Sequence, residues 1–292
     1  MEHKFQIVVL AKQVPDTRQV GRDAMTAEGT VNRAALPAIF NPEDLHALEM
    51  ALSLKERIPG SRVHLLTMGP QRAADIIREA MFRGADGGYL LSGREFAGSD
   101  TLATSYALSC ALRKINPDLI LSGRQAIDGD TAQVGPQVAE KLSLPQVTYA
   151  EEVIAIGEGS LTIRRRIDAG LEVVECPLPA VITVNGSAPT CRPRNAKRLM
   201  HFKSARTASE IASEPTSLAA QRVSEKPELQ IVEWSAADIE PDQTQLGLQG
   251  SPTKVKRIEN VVFQAKEAKR LEATDEALEG LIQELIAAHT IG

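Results

Sequence analysis

The residues best suited to chemistry lie in one stretch, SGRQAIDGDTAQVGPQVAEKL, from Ser122 to Leu142. Its informative residues are the glycines Gly123, Gly129 and Gly135, the aspartates Asp128 and Asp130, and the polar pair Thr131 and Gln133. Glycine lets a backbone approach an anion closely, and the free N–H groups of a helix N-terminus bind phosphate. A helix beginning near Thr131 would therefore make this stretch a phosphate site.

The same residues also suit an ordinary connection between a strand and a helix, with an aspartate as the helix cap and no ligand. Asp128 and Asp130 would repel a phosphate unless their carboxylates turned away to cap the backbone. As a pair they could act as acid and base, but aspartates beside three glycines are more typical of loop caps. The residues alone leave the phosphate site and the simple connection open.

Other chemical motifs are incomplete. GREFAGS, from Gly93 to Ser99, has the glycine spacing of a P-loop, but Ser99-Asp100 stands where that motif requires lysine followed by serine or threonine. No GxGxxG follows the first apolar run, no GxSxG occurs, and the histidines show no HExxH spacing. We therefore expect no catalytic residue set and no metal site. Any chemistry that the protein performs would come from a bound cofactor.

Composition narrows the class of partner. A net charge of −5 offers no general attraction to nucleic acid or anionic lipid, and 3% aromatic residues are too few for a base-stacking platform. No apolar run is long enough to span a membrane. The three cysteines lack CxxC spacing, which favours a reducing compartment. We therefore predict a cytoplasmic protein with no nucleic-acid partner and no membrane insertion.

Apolar periodicity predicts the elements that position the glycine-rich stretch. Strands are predicted at residues 5–11, 62–68, 88–91, 119–122 and 180–184, and helices after Asn41 and at 71–83, 100–115, 131–142, 262–271 and 275–289. Short strands at 153–156, 161–167 and 171–175 are joined by hairpin turns. This order predicts an α/β fold with a doubly wound, mostly parallel sheet, added antiparallel edge strands and an extended C-terminal arm.

Five separated motifs, in order, resemble the β subunit of electron-transfer flavoproteins. They are AKQVPDT (11–17), NPEDLHALEMAL (41–52), LTMGP (66–70), GRQAIDGDTAQVGP (123–136) and GLQGSPTKV (247–255). The resemblance spans about residues 4–256 and implies a doubly wound domain whose C-terminal arm wraps a larger α subunit. It implies a nucleotide-binding α/β domain over residues 1–190, followed over 191–292 by a partner-docking loop and an arm with helices.

The resemblance also implies an adenine nucleotide at the carboxyl ends of the strands. The implied contacts are Leu10, Ala11, Lys12, Asn41, Asp44, Met68, Gly123, Ala126, Asp128, Gly129, Asp130, Thr131, Ala132, Gln133 and Val134. Residues 128–134 would form the phosphate cradle.

Two branches of that family differ in the nucleotide. In the respiratory branch it is structural AMP, and the redox flavin belongs mainly to the α subunit. In the electron-bifurcating branch it is FAD, which takes hydride from NADH. Electrons then pass to the α-subunit FAD with its acyl-CoA dehydrogenase, and to ferredoxin or flavodoxin. Respiratory members usually read Asn-Gln-Thr-Gly where this chain has Ala132-Gln133-Val134-Gly135. We therefore predict FAD, with AMP as the alternative.

The docking loop of the family carries a central leucine, and Ala196 stands at that position here. The implied docking residues are Arg192, Arg194, Ala196, Lys197, Arg198 and Met200. The surrounding basic stretch could equally be a solvated helix face. A third class of protein, a self-contained adenine-nucleotide module for stress or signalling, would not need the long arm after residue 190.

Overall fold

Apolar runs of the sequence become the strands of a nine-stranded sheet in the computed structural model, which describes residues 5–16, 37–253 and 270–287. The strands are β1 (Gln6–Leu10), β2 (Gln13–Pro15), β3 (Ala38–Phe40), β4 (Arg62–Met68), β5 (Gly87–Leu91), β6 (Leu119–Gly123), β7 (Gln146–Ile156), β8 (Ser160–Ile167), β9 (Gly170–Pro177), β10 (Ala180–Val184) and β11 (Val232–Trp234).

The order across the large sheet is β11-β5-β4-β1-β6-β10-β7-β8-β9. Every neighbouring pair from β11 to β7 is parallel, and β8 and β9 add antiparallel strands at one edge. β2 and β3 form a separate antiparallel pair. The predicted doubly wound sheet with antiparallel edge strands is therefore confirmed.

Helices cover both faces of the sheet because its strands alternate apolar side chains between two clusters. Ile7 and Val9 of β1 belong to the cluster under the first two helices, whereas Val8 and Leu10 belong to the cluster under the next two. The helices are α1 (Pro42–Arg57), α2 (Ala74–Arg83), α3 (Thr101–Ile115), α4 (Val134–Leu142), α5 (Ala196–Phe202), α6 (Ala208–Ser213), α7 (Leu218–Glu225), α8 (Ala236–Ile239) and α9 (Asp275–Ala287).

The direction of winding reverses beside β1. From β1 the chain builds β4 and then β5 on one side, and it returns to the other side of β1 as β6. Leu10 of β1 lies in register with Leu66 of β4 and with Ser122 of β6. In open α/β sheets, the carboxyl ends of the strands at such a reversal form the usual ligand crevice.

The helix predicted from Thr131 begins three residues later, at Val134. Asp130 and Ala132 have positive φ angles of 48° and 53°, in the left-handed region that a right-handed helix excludes. The residues between β6 and α4 therefore remain an irregular loop. The apolar period around them did not reveal this, because local backbone handedness leaves no mark on hydrophobic spacing.

Backbone contacts divide the chain into two compact units, Met1–Lys256 and Arg257–Gly292. After residue 190 the chain still adds β11 to the large sheet, beside β5. The domain boundary at residue 190 stays a prediction. The predicted helix at 275–289 is confirmed over Asp275–Ala287, in the second unit, and the helix predicted at 262–271 falls almost wholly outside the described residues. Over the described ranges, no helix combines the length and apolarity needed to cross a membrane.

Candidate functional site

A cavity of about 790 Å³ opens where β1, β4 and β6 end. Leu10, Met68 and Gly123, the last residues of these three strands, all line it. The cavity therefore lies at the reversal of strand order, where this class of sheet binds its ligands. Its volume is in the upper part of the range for ligand pockets, roughly 300–1,000 Å³.

All but one of the predicted cofactor-binding residues line the cavity. They are Leu10, Ala11, Lys12, Asp44, Met68, Gly123, Ala126, Asp128, Gly129, Asp130, Thr131, Ala132, Gln133 and Val134. The exception is Asn41, which is fully buried. Its Nδ2 donates to the carbonyl of Gln125 over 2.9 Å, and its Oδ1 accepts from the N–H of Ile127 over 3.3 Å. The side chain of Asn41 thus fixes the backbone of the loop at Gln125 and Ile127.

Two glycines are required by close approach. A Cβ on Gly123 would lie 2.5 Å from Asp44 Oδ1, and one on Gly135 would lie 2.6 Å from Thr183 Cγ2. A Cβ on Gly129 would meet no atom within 4 Å. Gly123 therefore lets the start of the loop lie directly against the first turn of α1, and Gly135 lets its end lie against the sheet, whereas Gly129 lies at an open part of the cavity wall.

Neither aspartate of the loop caps the following helix. Asp128 binds Lys12 Nζ over 2.8 Å, and Asp130 Oδ1 accepts from Gln125 Nε2 over 2.8 Å. The N-cap residue of α4, Gln133, makes no side-chain capping hydrogen bond within the described structure. Of the two alternatives that the sequence leaves open, the one in which an aspartate caps α4 is wrong. The acids are held by side chains instead, and the N–H groups that begin α4 are left without a side-chain cap.

Asp44 ties the ends of two strands together. Its Oδ2 accepts from the N–H of Lys12 over 2.8 Å, and its Oδ1 accepts from the N–H of Gly123 over 3.2 Å. Burial opposes the charged form more strongly than these hydrogen bonds favour it, which raises the pKa of Asp44 to about 7. The carboxyl group therefore titrates close to neutral pH, beside the cavity.

This raised pKa makes folding depend on pH in a definite direction. Below about pH 4 the carboxyl group is protonated in both the folded and the unfolded chain, and above that only the folded chain keeps the proton, up to a pKa of about 7. Its stabilising contribution is therefore present below about pH 4 and is lost as pH rises through about 7. From about pH 5 to about pH 8, we expect the free energy of unfolding of wild type, relative to Asp44→Asn, to fall by about 2 kcal/mol. Urea unfolding measures it; a difference that stays constant with pH would contradict the assignment.

Sequence reasoning missed a second wall of the cavity, formed by residues 92–94 and 96–101 after β5. The available signal is GREFAGS, which has the glycine spacing of a P-loop but lacks its lysine. Gly247 packs against this wall so closely that a Cβ would lie 2.4 Å from the carbonyl oxygen of Glu95. Ser251 Oγ accepts from the N–H of Asp100 over 2.8 Å. Gly247 and Ser251 of the motif GLQGSPTKV therefore support the second wall.

Several of the predicted docking residues contact the chain itself. Arg192 binds Glu49 and Glu56, and Arg194 binds Glu79. Arg198 donates to the carbonyl groups of Met81 and Ala85. Ala196, Lys197 and Met200 are exposed on α5, with 59% of Met200 accessible. Part of the basic stretch thus anchors α5 to the α/β unit, and the outward face of α5 is left to solvent.

The fold and cavity define a doubly wound α/β protein with a ligand-sized cleft at the carboxyl edge of its sheet. Among the described residues, no cluster of three or more His, Cys, Asp or Glu side chains could hold a metal ion. The family model for the electron transfer flavoprotein domain matches residues 28–209.

Relatives extend this similarity over most of the chain. An electron transfer flavoprotein subunit beta of Clostridium acetobutylicum is 40% identical over 87% of both chains. The caffeyl-CoA reductase-Etf complex subunit CarD of Acetobacterium woodii is also 40% identical over 87% of both. The acryloyl-CoA reductase electron transfer subunit gamma of Anaerotignum propionicum is 40% identical over 98% of this chain and 100% of its own. The chain belongs to the electron transfer flavoprotein family, among homologues of its β subunit.

Proposed function

We propose that this chain is the β subunit of a heterodimeric electron transfer flavoprotein that holds FAD in the cavity, with NADH as the electron donor. The observation that carries the proposal is a cavity of about 790 Å³ at the strand reversal, with walls after both β5 and β6. Residues 126–134 form only one of these walls. A ligand that used the loop alone would leave the second wall without a function.

The chain's own residues fit a phosphate-bearing group. Gly135 brings the start of α4 against the sheet, and a side chain there would fill the space. The N–H groups of the first turn of α4 have no side-chain cap. Leu10, Leu66 and Met68 offer an apolar surface beside them, suited to the planar base. Bound FAD would supply the hydride-accepting chemistry, and the chain would bind it, orient it and exclude water around it.

The same proposal includes the electron-transfer partners. Electrons would pass to an α-subunit flavin with an acyl-CoA dehydrogenase-type partner, and to ferredoxin or flavodoxin, in the cytoplasm. The names of the relatives from Acetobacterium woodii and Anaerotignum propionicum, which refer to a caffeyl-CoA reductase and an acryloyl-CoA reductase, support a partner of that kind. The outward face of α5, with Lys197 and Met200, is the docking surface we propose.

Identification of the bound nucleotide tests this function. The full chain, purified with its α subunit and then denatured, should release FAD in excess of the amount that the α subunit binds alone. Chromatography of the released nucleotides distinguishes the outcomes. Release of AMP from the β subunit would favour the alternative, in which the nucleotide is structural and the redox flavin belongs mainly to the α subunit. Absence of any adenine nucleotide would contradict both.

A further inference from the structure

The wall after β5, residues 92–94 and 96–101, lines the cavity separately from the loop before α4. In the strand order, β5 is separated from β6 by β4 and β1, so the two walls follow strands that are roughly 14 Å apart, or three strand spacings. A phosphate held at the start of α4 lies on the β6 side. A second phosphate bonded to the first lies beside it, so a countercharge on the other wall reaches it only through a long side chain that extends into the cavity.

The wall after β5 is held in place by buried contacts. Ser251, which is only 2% exposed, accepts from the N–H of Asp100 and donates to the carbonyl of Gly247 over 2.6 Å. The N–H of Leu248 donates to the carbonyl of Ala97 over 3.1 Å. These contacts hold the backbone of the segment in place. The Cα positions of the side chains that line the cavity are therefore fixed as well.

The charges around the cavity single out one residue on this wall. Three basic side chains line the cavity: Lys12, Arg94 and Arg124. Lys12 is paired with Asp128, and Arg124 binds Glu43 through two hydrogen bonds of 3.2 Å and 2.9 Å. Arg94 is exposed, and among the residues that the structure describes its guanidinium group forms no hydrogen bond or ion pair. Carboxylates of the chain itself thus neutralise Lys12 and Arg124, but not Arg94.

We propose that Arg94 binds the second phosphate of a diphosphate-containing adenine nucleotide, and so selects diphosphate over monophosphate ligands. This inference rests on the proposed function, because it needs the first phosphate to lie at the start of α4. A guanidinium group presents paired N–H donors that match phosphate oxygens, which makes arginine well suited to the contact. The aspartates of the loop cannot serve in its place, since they carry negative charge.

The test is a ligand series measured by calorimetry on the full chain freed of nucleotide. Adenosine, AMP, ADP and FAD differ stepwise in phosphate number. Arg94→Gln should weaken ADP and FAD by about tenfold, as expected for loss of one hydrogen-bonded charge contact, and should leave adenosine and AMP within about twofold. Arg94→Lys should recover part of the loss. Arg72→Gln removes an exposed arginine that does not line the cavity and should change none of the four affinities.

Two results would overturn the assignment of Arg94. One is unchanged binding of ADP and FAD, and the other is a loss that AMP shares equally. A wild-type chain that binds none of the adenine nucleotides would instead overturn the proposed function, and the assignment of Arg94 with it. The wild-type measurement therefore separates failure of the function from failure of this residue's role.

Discussion

Gly123→Ala should both destabilise the chain and lower its nucleotide content. The new Cβ would lie 2.5 Å from Asp44 Oδ1 and 2.6 Å from the carbonyl carbon of Glu43. Because the second of these atoms belongs to the backbone of α1, a side-chain rotation cannot relieve the clash. We expect a loss of at least about 2 kcal/mol in the free energy of unfolding, as for other overpacked sites. Separation of Gly123 from Asp44 would also displace the start of the loop and reduce the nucleotide bound.

Gly129→Ala is the matched control, because it adds the same methyl group to the same loop. No atom lies within 4 Å of the new Cβ, and the φ angle of Gly129 is outside the positive range. Its free energy of unfolding should stay within about 0.5 kcal/mol of wild type. Urea unfolding of both variants, with the nucleotide content of each, is the measurement. Equal stability of the two variants would show that the close approach at Gly123 is not required.

Arg192→Ala should be the second most damaging change. Arg192 donates to Glu49 through Nη2 over 2.8 Å and through its backbone N–H over 2.8 Å. Only 12% of the Glu49 side chain is exposed. Burial raises the pKa of Glu49, but the hydrogen bonds from Arg192 outweigh burial and hold that pKa below its ordinary value. Removal of the guanidinium group would leave a largely buried carboxylate with its backbone partner, a weak Ser53 contact and the Cys191 thiol, at a cost of about 2–3 kcal/mol.

Arg194→Ala is the control for the second change, since Arg194 lies in the same basic segment and also binds a glutamate. The side chain of Arg194 is 53% exposed, and its contact to Glu79 is 2.7 Å long. An exposed ion pair contributes less than about 1 kcal/mol, so this variant should unfold close to wild type. Similar losses for both variants would contradict the view that burial of Glu49 makes Arg192 an anchor of the segment before α5.

The sequence predicted the sheet well because its strands have patterns set by burial. β1, β6 and β10 are short apolar runs that the sheet buries on both faces, and β8 begins with buried residues at alternate positions. The carboxyl-end location of the cavity followed from that order and from the motifs that resemble the family. These inferences need only the local sequence and the rules of α/β winding.

The remaining features depend on contacts between distant residues. Arg192 meets Glu49 across 143 positions of the chain, so a basic segment that looked like a solvated face is partly an internal anchor. The wall with Arg94 lines the same cavity as the α4 loop because β5 and β6 run parallel in one sheet and end at the same edge, which spacing along the sequence does not reveal. The contact of Asn41 with a nucleotide stays a prediction, and the partners of its buried amide, Gln125 and Ile127, lie 84 and 86 positions away in the chain.

The central claim is that this chain contributes a second, redox-active flavin to its heterodimer. The most direct test is an anaerobic titration of the purified α/β complex with NADH, together with a count of FAD and AMP in the same sample. We predict two FAD per heterodimer and a loss of flavin absorbance when NADH is added. One FAD and one AMP per heterodimer, with no change in flavin absorbance on addition of NADH, would contradict it.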